Sequence, residues 1–207
     1  MNAKRRRPSM DAATYAEVIG AVLLIAAAGF LLIPRRFQVN EICSINTTLT
    51  AYNSAKAAAA AYYGKYGRFG GRNGEALTSY DSLEALSWDS QVLVPEELLE
   101  GPFTSRLGKA GAWIRLVDIS HYTTATPVTP DGAGLYALSG SPCIDVIGDV
   151  VVEAVIQGVS EKDAEEELNR SIDGLASQLT TNGLWKVAGR VKYDDATGTV
   201  LLYIAHR

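Results

Sequence analysis

The chain has 207 residues, 47% hydrophobic and 20% charged, with a formal net charge of −4. That length suits one domain, or one domain with an appendage, and the composition excludes a disordered or fibrous chain. The acidic balance argues against nucleic acid as the main partner, and two cysteines with two histidines leave little for a structural zinc site.

Charge and apolarity are segregated at the start. Residues 1–12 carry Lys4, Arg5, Arg6 and Arg7 against Asp11, net +3; taking that from −4 leaves −7 on the remaining 195. From 18 to 33 runs VIGAVLLIAAAGFLLI, sixteen residues without a polar side chain, and extending it back to Ala12 gives 22 with a single charge. At about 1.5 Å per residue this spans a hydrocarbon core of about 30 Å. The basic cluster predicts a cytoplasmic N-terminus with the rest translocated. The run ends at Pro34, Arg35 and Arg36 with no small-x-small motif behind it, so an anchor fits better than a cleaved secretory signal. Glu17 needs a partner, because a carboxylate costs roughly 2.5–3.5 kcal/mol at the centre of a membrane helix. A cut between Ala12 and Ala13 would create an amine four residues before Glu17, one helical turn away.

On these residues the sequence resembles the type IV pilins and the related pseudopilins of type II secretion systems. The likeness lies in the basic leader, in Glu17 as fifth residue of a chain starting at Ala13, and in Pro34 as its twenty-second. Ala12 and Ala13 depart from the usual Gly and Phe at the cut. The AYYGKYGRFGG segment that closes the long helix is also similar to the family. The resemblance implies processing by a prepilin peptidase, methylation of the new N-terminus, and polymerisation through the N-terminal helix. Glu17 would then neutralise the Ala13 amine of an adjoining subunit, with Pro34 kinking the filament-core helix. The implied partners are copies of itself or other pilins, the peptidase and an inner-membrane assembly platform. The implied location is the inner membrane, single-pass, before assembly, and an extracellular or periplasmic filament afterwards.

Beyond Pro34, Val39, Ile42, Ile45, Leu49, Tyr52, Ala55, Ala59, Tyr62 and Tyr66 lie on one helical face, and Gly67, Gly70 and Gly71 end the pattern. Residues 67–110 read as a connection with short helices: Ser82 or Asp81 caps LEAL, Pro95 opens a turn, and Leu83, Leu86, Trp88 and Leu98 are core anchors. WIRLVDI (113–119) reads as a strand in which Arg115 is out of character; GLYALSG (134–140) is a short strand and DVVVEAVI (149–156) the strongest one. Ser160 with Asp163 forms a capping box, with Ala164, Leu168 and Ile172 as the buried stripe. Strands over 184–193 and 199–206 flank a DDATG hairpin.

The expected fold is therefore α+β and pilin-like: a long N-terminal helix, with a membrane half and an amphipathic half, packed on a small meander-like antiparallel sheet. Its parts are a leader (1–12), a membrane or filament-core segment (13–34), an amphipathic helix (35–66) and a globular head (67–207). No triad, phosphate loop or cofactor motif is present, so the expected function is non-enzymatic: a pilus or pseudopilus subunit. The alternative is an unprocessed, membrane-anchored extracytoplasmic binding module. Cys43 and Cys143, both outside the cytoplasm on this reading, are candidates for a disulfide clamping helix to sheet. Asp194, Asp195 and Thr199 offer oxygens for calcium, against the simpler reading of a solvated turn.

Overall fold

The computed structural model describes residues 43–174 and 184–207. The expected leader, the apolar segment 13–34 and the start of the amphipathic helix lie outside the described residues. The chain divides into two units, Met1–Cys43 and Ser44–Arg207, and the architecture below is that of the second.

Residues 43–66 are helical (α1). Ile45, Tyr52, Ala55, Ala58, Ala59 and Tyr62 are buried at the spacing of a single helical face, while Lys56 and Lys65 stay in water. The Ala-rich stretch favours the helix and lets α1 sit close to its neighbours. Its end is sealed by aromatics. Trp88 is fully buried, stands edge-on to Tyr62 (5.1 Å between ring centres) and Phe69 (5.9 Å), and donates its indole N–H to Gly70 O at 2.8 Å. The Tyr62 hydroxyl donates to Gly71 O.

Ser82 caps the short helix Leu83–Leu86 (α2) by accepting from Ala85 N at 3.3 Å, and a π-helical turn, Asp89–Leu93, follows. Four antiparallel strands come next: Gly111–Asp118 (β1), Val150–Gln157 (β2), Val191–Asp194 (β3) and Thr199–His206 (β4). Their order is β1-β2-β4-β3, so β2 and β4 are central and the expected meander is corrected: the β3–β4 hairpin inserts its second strand beside β2. Between β2 and β3, a π-helical segment Asp163–Asn169 runs into the helix Arg170–Ile172 (α3).

The sheet is covered on both faces, which explains the unbroken burial of β2 from Val150 to Ile156. Even-numbered β2 residues join Ile114, Leu116, Leu202 and the α1 face in the main core. The other face packs Val151, Val155 and Leu201 against Ile119, Tyr136 and Val146, contributed by the long excursion between β1 and β2. That excursion contains no strand at 134–140. Gly134 and Gly140 take φ of +70° and +81°, which breaks extended backbone, and only isolated bridges form there, Pro127 to Cys143 and Ala137 to Gly189. Leu184–Lys186 is likewise a 3₁₀ turn, and β3 begins only at Val191.

The described residues do not contain the expected pilin-like helix with a membrane half. Among the described residues no helix is long and apolar enough to cross a membrane. What is present is a small α+β domain around a modest four-stranded sheet.

Candidate functional site

Glu153 interrupts the apolar run of β2, and strand alternation sends it to the second face of the sheet, fully buried. A carboxylate taken out of water needs compensation from charge and hydrogen bonds. Arg115, its register partner on β1, supplies the charge: Nε and Nη2 lie 2.8 and 2.7 Å from Glu153 Oε1. Glu153 Oε2 accepts the Gly134 N–H at 3.0 Å and the Tyr136 hydroxyl at 2.7 Å. Gly134 is tied to this place by backbone as well as space. A Cβ added at its φ of +70° would meet Ile119 Cγ2 at 2.7 Å.

Lys192 on β3 is the second fully buried charge of this face. Its Nζ donates to Thr129 O at 3.2 Å and to Gly132 O, and lies 5.0 Å from the centre of the Tyr136 ring. Burial pulls its ammonium down to about 8, opposed by the attraction of Glu153. Burial, reinforced by Glu153, raises the Tyr136 hydroxyl well above its ordinary range. Arg115, Glu153 and Lys192, from three strands, thus form a charged row that fastens residues 129–136 across the sheet as a strap. Both Glu153 oxygens are engaged, so the row's chemistry is that of a fastener.

Two clefts open beside the row, and Arg115 lines both. The smaller, about 160 Å³, lies between Pro130–Asp131 of the strap and Asp194, Thr197 and Thr199. The larger, about 540 Å³, runs along the outer edge of β1. Arg115, Leu116, Val117 and Asp118 form its floor; Leu77–Asp81 and Leu86 line one side, His121 and Ala133 the other. Leu86 in its lining is 42% exposed; Leu83, one turn earlier on α2 and outside the lining, is 66% exposed. Both read from sequence as core anchors; the fold turns them outward instead, while Trp88 fills the core.

Asp118 Oδ1 accepts the Ser120 N–H at 2.9 Å, and the hydrogen bonds from Ser120 hold its carboxyl below the usual range. Asp81, on the side formed by Leu77–Asp81, is exposed. The Arg115 charge is met by Glu153, so the two aspartates set the sign of the cleft.

The site residues anticipated from sequence lie elsewhere. Ala12, Ala13, Glu17 and Pro34 fall outside the described residues. Cys43 is exposed and Cys143 half-buried, each as a thiol. Asp194 accepts from Ala196 N at 3.0 Å and from Thr197 Oγ1 at 2.5 Å, and Thr197 Oγ1 lies 2.8 Å from Thr199 Oγ1. Both Asp195 oxygens accept from Lys186 Nζ at 2.7 Å. These oxygens serve a turn and a lysine, and among the described residues no three or more His, Cys, Asp or Glu gather as a metal site. Sequence reasoning missed the charged row. Its signal was a charge set between apolar neighbours in each of three strands, Arg115, Glu153 and Lys192, two basic and one acidic.

No protein family, curated protein or solved structure matches this chain. With nothing matched, and no membrane-crossing helix among the described residues, the pilin and pseudopilin resemblance is corrected. The filament-subunit function goes with it, as do peptidase processing, methylation and a role in secretion. The partner pilins and assembly platform, the single-pass inner-membrane location and the membrane-anchored alternative are likewise unsupported. The physical reason is that local patterns over 4–66 carried the likeness, and a local pattern does not fix how the folded unit packs.

Proposed function

We propose that the Ser44–Arg207 unit is a non-enzymatic binding module whose ligand-facing surface is the cleft along β1. The observation that carries this reading is the edge itself: a strand at the border of the sheet faces an open cleft of about 540 Å³ with exposed Leu86 in its lining. Exposed apolar side chains beside unpaired strand edges are costly to leave uncovered, and natural proteins retain them where something docks. The buried charges support the reading from the other side. Arg115, Glu153, Tyr136 and Lys192 are consumed in holding the strap, which makes one wall of the cleft rigid.

The test places a photo-crosslinking amino acid at Leu86 of the full-length chain in its own cell, with the same residue at exposed Glu166 as control. The expected result is a discrete covalent adduct of macromolecular mass at position 86 and none at 166. Equal labelling at the two positions would sink the proposal.

A further inference from the structure

The edge of β1 has a definite hydrogen-bonding parity. Ile119 N donates to Asp149 O, continuing the β1–β2 register in which Asp118 stands opposite Val150, so odd-numbered residues of β1 turn their main-chain groups toward β2. Even-numbered residues therefore direct N–H and C=O to the outer edge. The Ile114 amide faces the buried Asp89 carboxylate, one of the amides opposing the rise that burial imposes on that group. The next outward set, on Leu116, opens on the cleft floor, and no hydrogen bond from another described segment reaches it. The Leu116 side chain is itself buried in the main core, so this stretch of edge is rigid.

The dimensions suit one further strand. At roughly 3.4 Å rise, ~4.8 Å strand spacing and ~10 Å layer thickness, an extended residue fills about 160 Å³, so the cleft holds about three. Four consecutive β1 residues, Arg115 to Asp118, line it. The charges specify the occupant. Asp118 on the floor and Asp81 on one side are both carboxylates, and Arg115 brings no net charge because Glu153 lies 2.7 Å away. Asp118 and Asp149 also push the Tyr80 hydroxyl up, after burial, as expected of a negative field at this edge. Leu86 offers an apolar contact for an alternate side chain.

Resting on the binding-module reading, we propose that the cleft takes an extended peptide by strand addition: the peptide pairs with the outer edge of β1 at Leu116, directs a lysine or arginine toward Asp118 and Asp81, and rests an apolar residue on Leu86. Main-chain pairing would supply the affinity and the side chains the selectivity.

The test uses the full-length chain and a fluorescein-labelled hexapeptide, Thr-Val-Lys-Leu-Thr-Val, followed by fluorescence anisotropy, with two N-methylated versions. One is methylated at the first, third and fifth amides, the other at the second, fourth and sixth. Saturable binding is expected, weakened at least tenfold by one methylation pattern and little by the other, because alternate amides face β1. Asp81→Lys should weaken the parent peptide at least fivefold while leaving the circular dichroism spectrum unchanged. Equal tolerance of both methylation patterns would overturn strand addition. So would sedimentation showing a dimer that occupies the edge in place of the peptide. Absence of peptide binding with the position-86 adduct intact removes strand addition alone; loss of both removes the binding module as well.

Discussion

Glu153 and Lys192 illustrate two ways of keeping a charge inside a protein. Glu153 has a guanidinium 2.7 Å away and two further donors, whereas Lys192 relies on main-chain carbonyls and the Tyr136 face. Removing one member of a buried pair leaves the other uncompensated, which costs more than the pair ever contributed. Glu153→Gln keeps an acceptor for Tyr136 but deprives Arg115 of its countercharge. Its expected effect is a loss of about 3 kcal/mol in unfolding free energy, read by urea denaturation. A loss below ~0.5 kcal/mol would show that the strap is fastened by packing alone. Arg115 was visible in the sequence as a charge out of place in WIRLVDI. Its partner was not, because Glu153 lies 38 residues away and only strand register sets them opposite.

Elements whose signals are local came out as their residues suggest. Ser160 Oγ accepts the Asp163 N–H at 3.1 Å and donates to its carboxylate at 2.7 Å, and Ala164 and Leu168 are fully buried behind it. Ser160→Ala should therefore cost about 1 kcal/mol, seen as a lower urea midpoint at unchanged slope. An unchanged midpoint would mean that the segment is held entirely by its buried stripe. The hydrogen bonds of Asp163–Asn169 follow the wider π pattern, which leaves Leu168 buried all the same. The misread elements share a different cause. LEAL has a proper cap, but periodicity over four residues cannot say which side meets the core; Leu83 and Leu86 face water because Trp88 already occupies the space. GLYALSG has strand-forming residues, yet its bounding glycines adopt left-handed backbone to bring Gly134 and Tyr136 to Glu153.

Over the whole unit, acid stability tests how the segments around α1 are tied. Glu96 collects the Tyr66 hydroxyl at 2.6 Å, Lys65 Nζ at 2.9 Å and the Asn73 N–H at 2.7 Å, binding the end of α1 to the following turn. These contacts, the Tyr66 hydrogen bond foremost, hold its carboxyl down at about 2 from an ordinary 4.5. Because the unfolded chain takes up this proton first, the contribution is complete above about 4.5 and is lost as pH falls toward 2. Burial raises Asp89 and Asp173, so their protonation favours the folded state and partly offsets the loss. Wild type should melt above Glu96→Gln at pH 6, and the gap in Tm should close progressively as pH falls from 4.5 to 2.5. A gap constant across that range would assign the role of Glu96 to shape instead of charge.

What the sequence determined by itself is what neighbours along the chain encode. It marked the buried face of α1 from Ile45 to Tyr62, the cores of β1, β2 and β4, the Ser160 cap and the DDATG hairpin, each through a period or a cap a few residues long. The tertiary structure alone decided strand order, the pairing of Arg115 with Glu153, the burial of Lys192 and the opening of the β1 edge. Each of these depends on residues distant in sequence meeting across the sheet, and burial of a charge is settled by the partner it finds there. The early resemblance failed on the same ground: local patterns over 4–66 do not determine how Ser44–Arg207 packs.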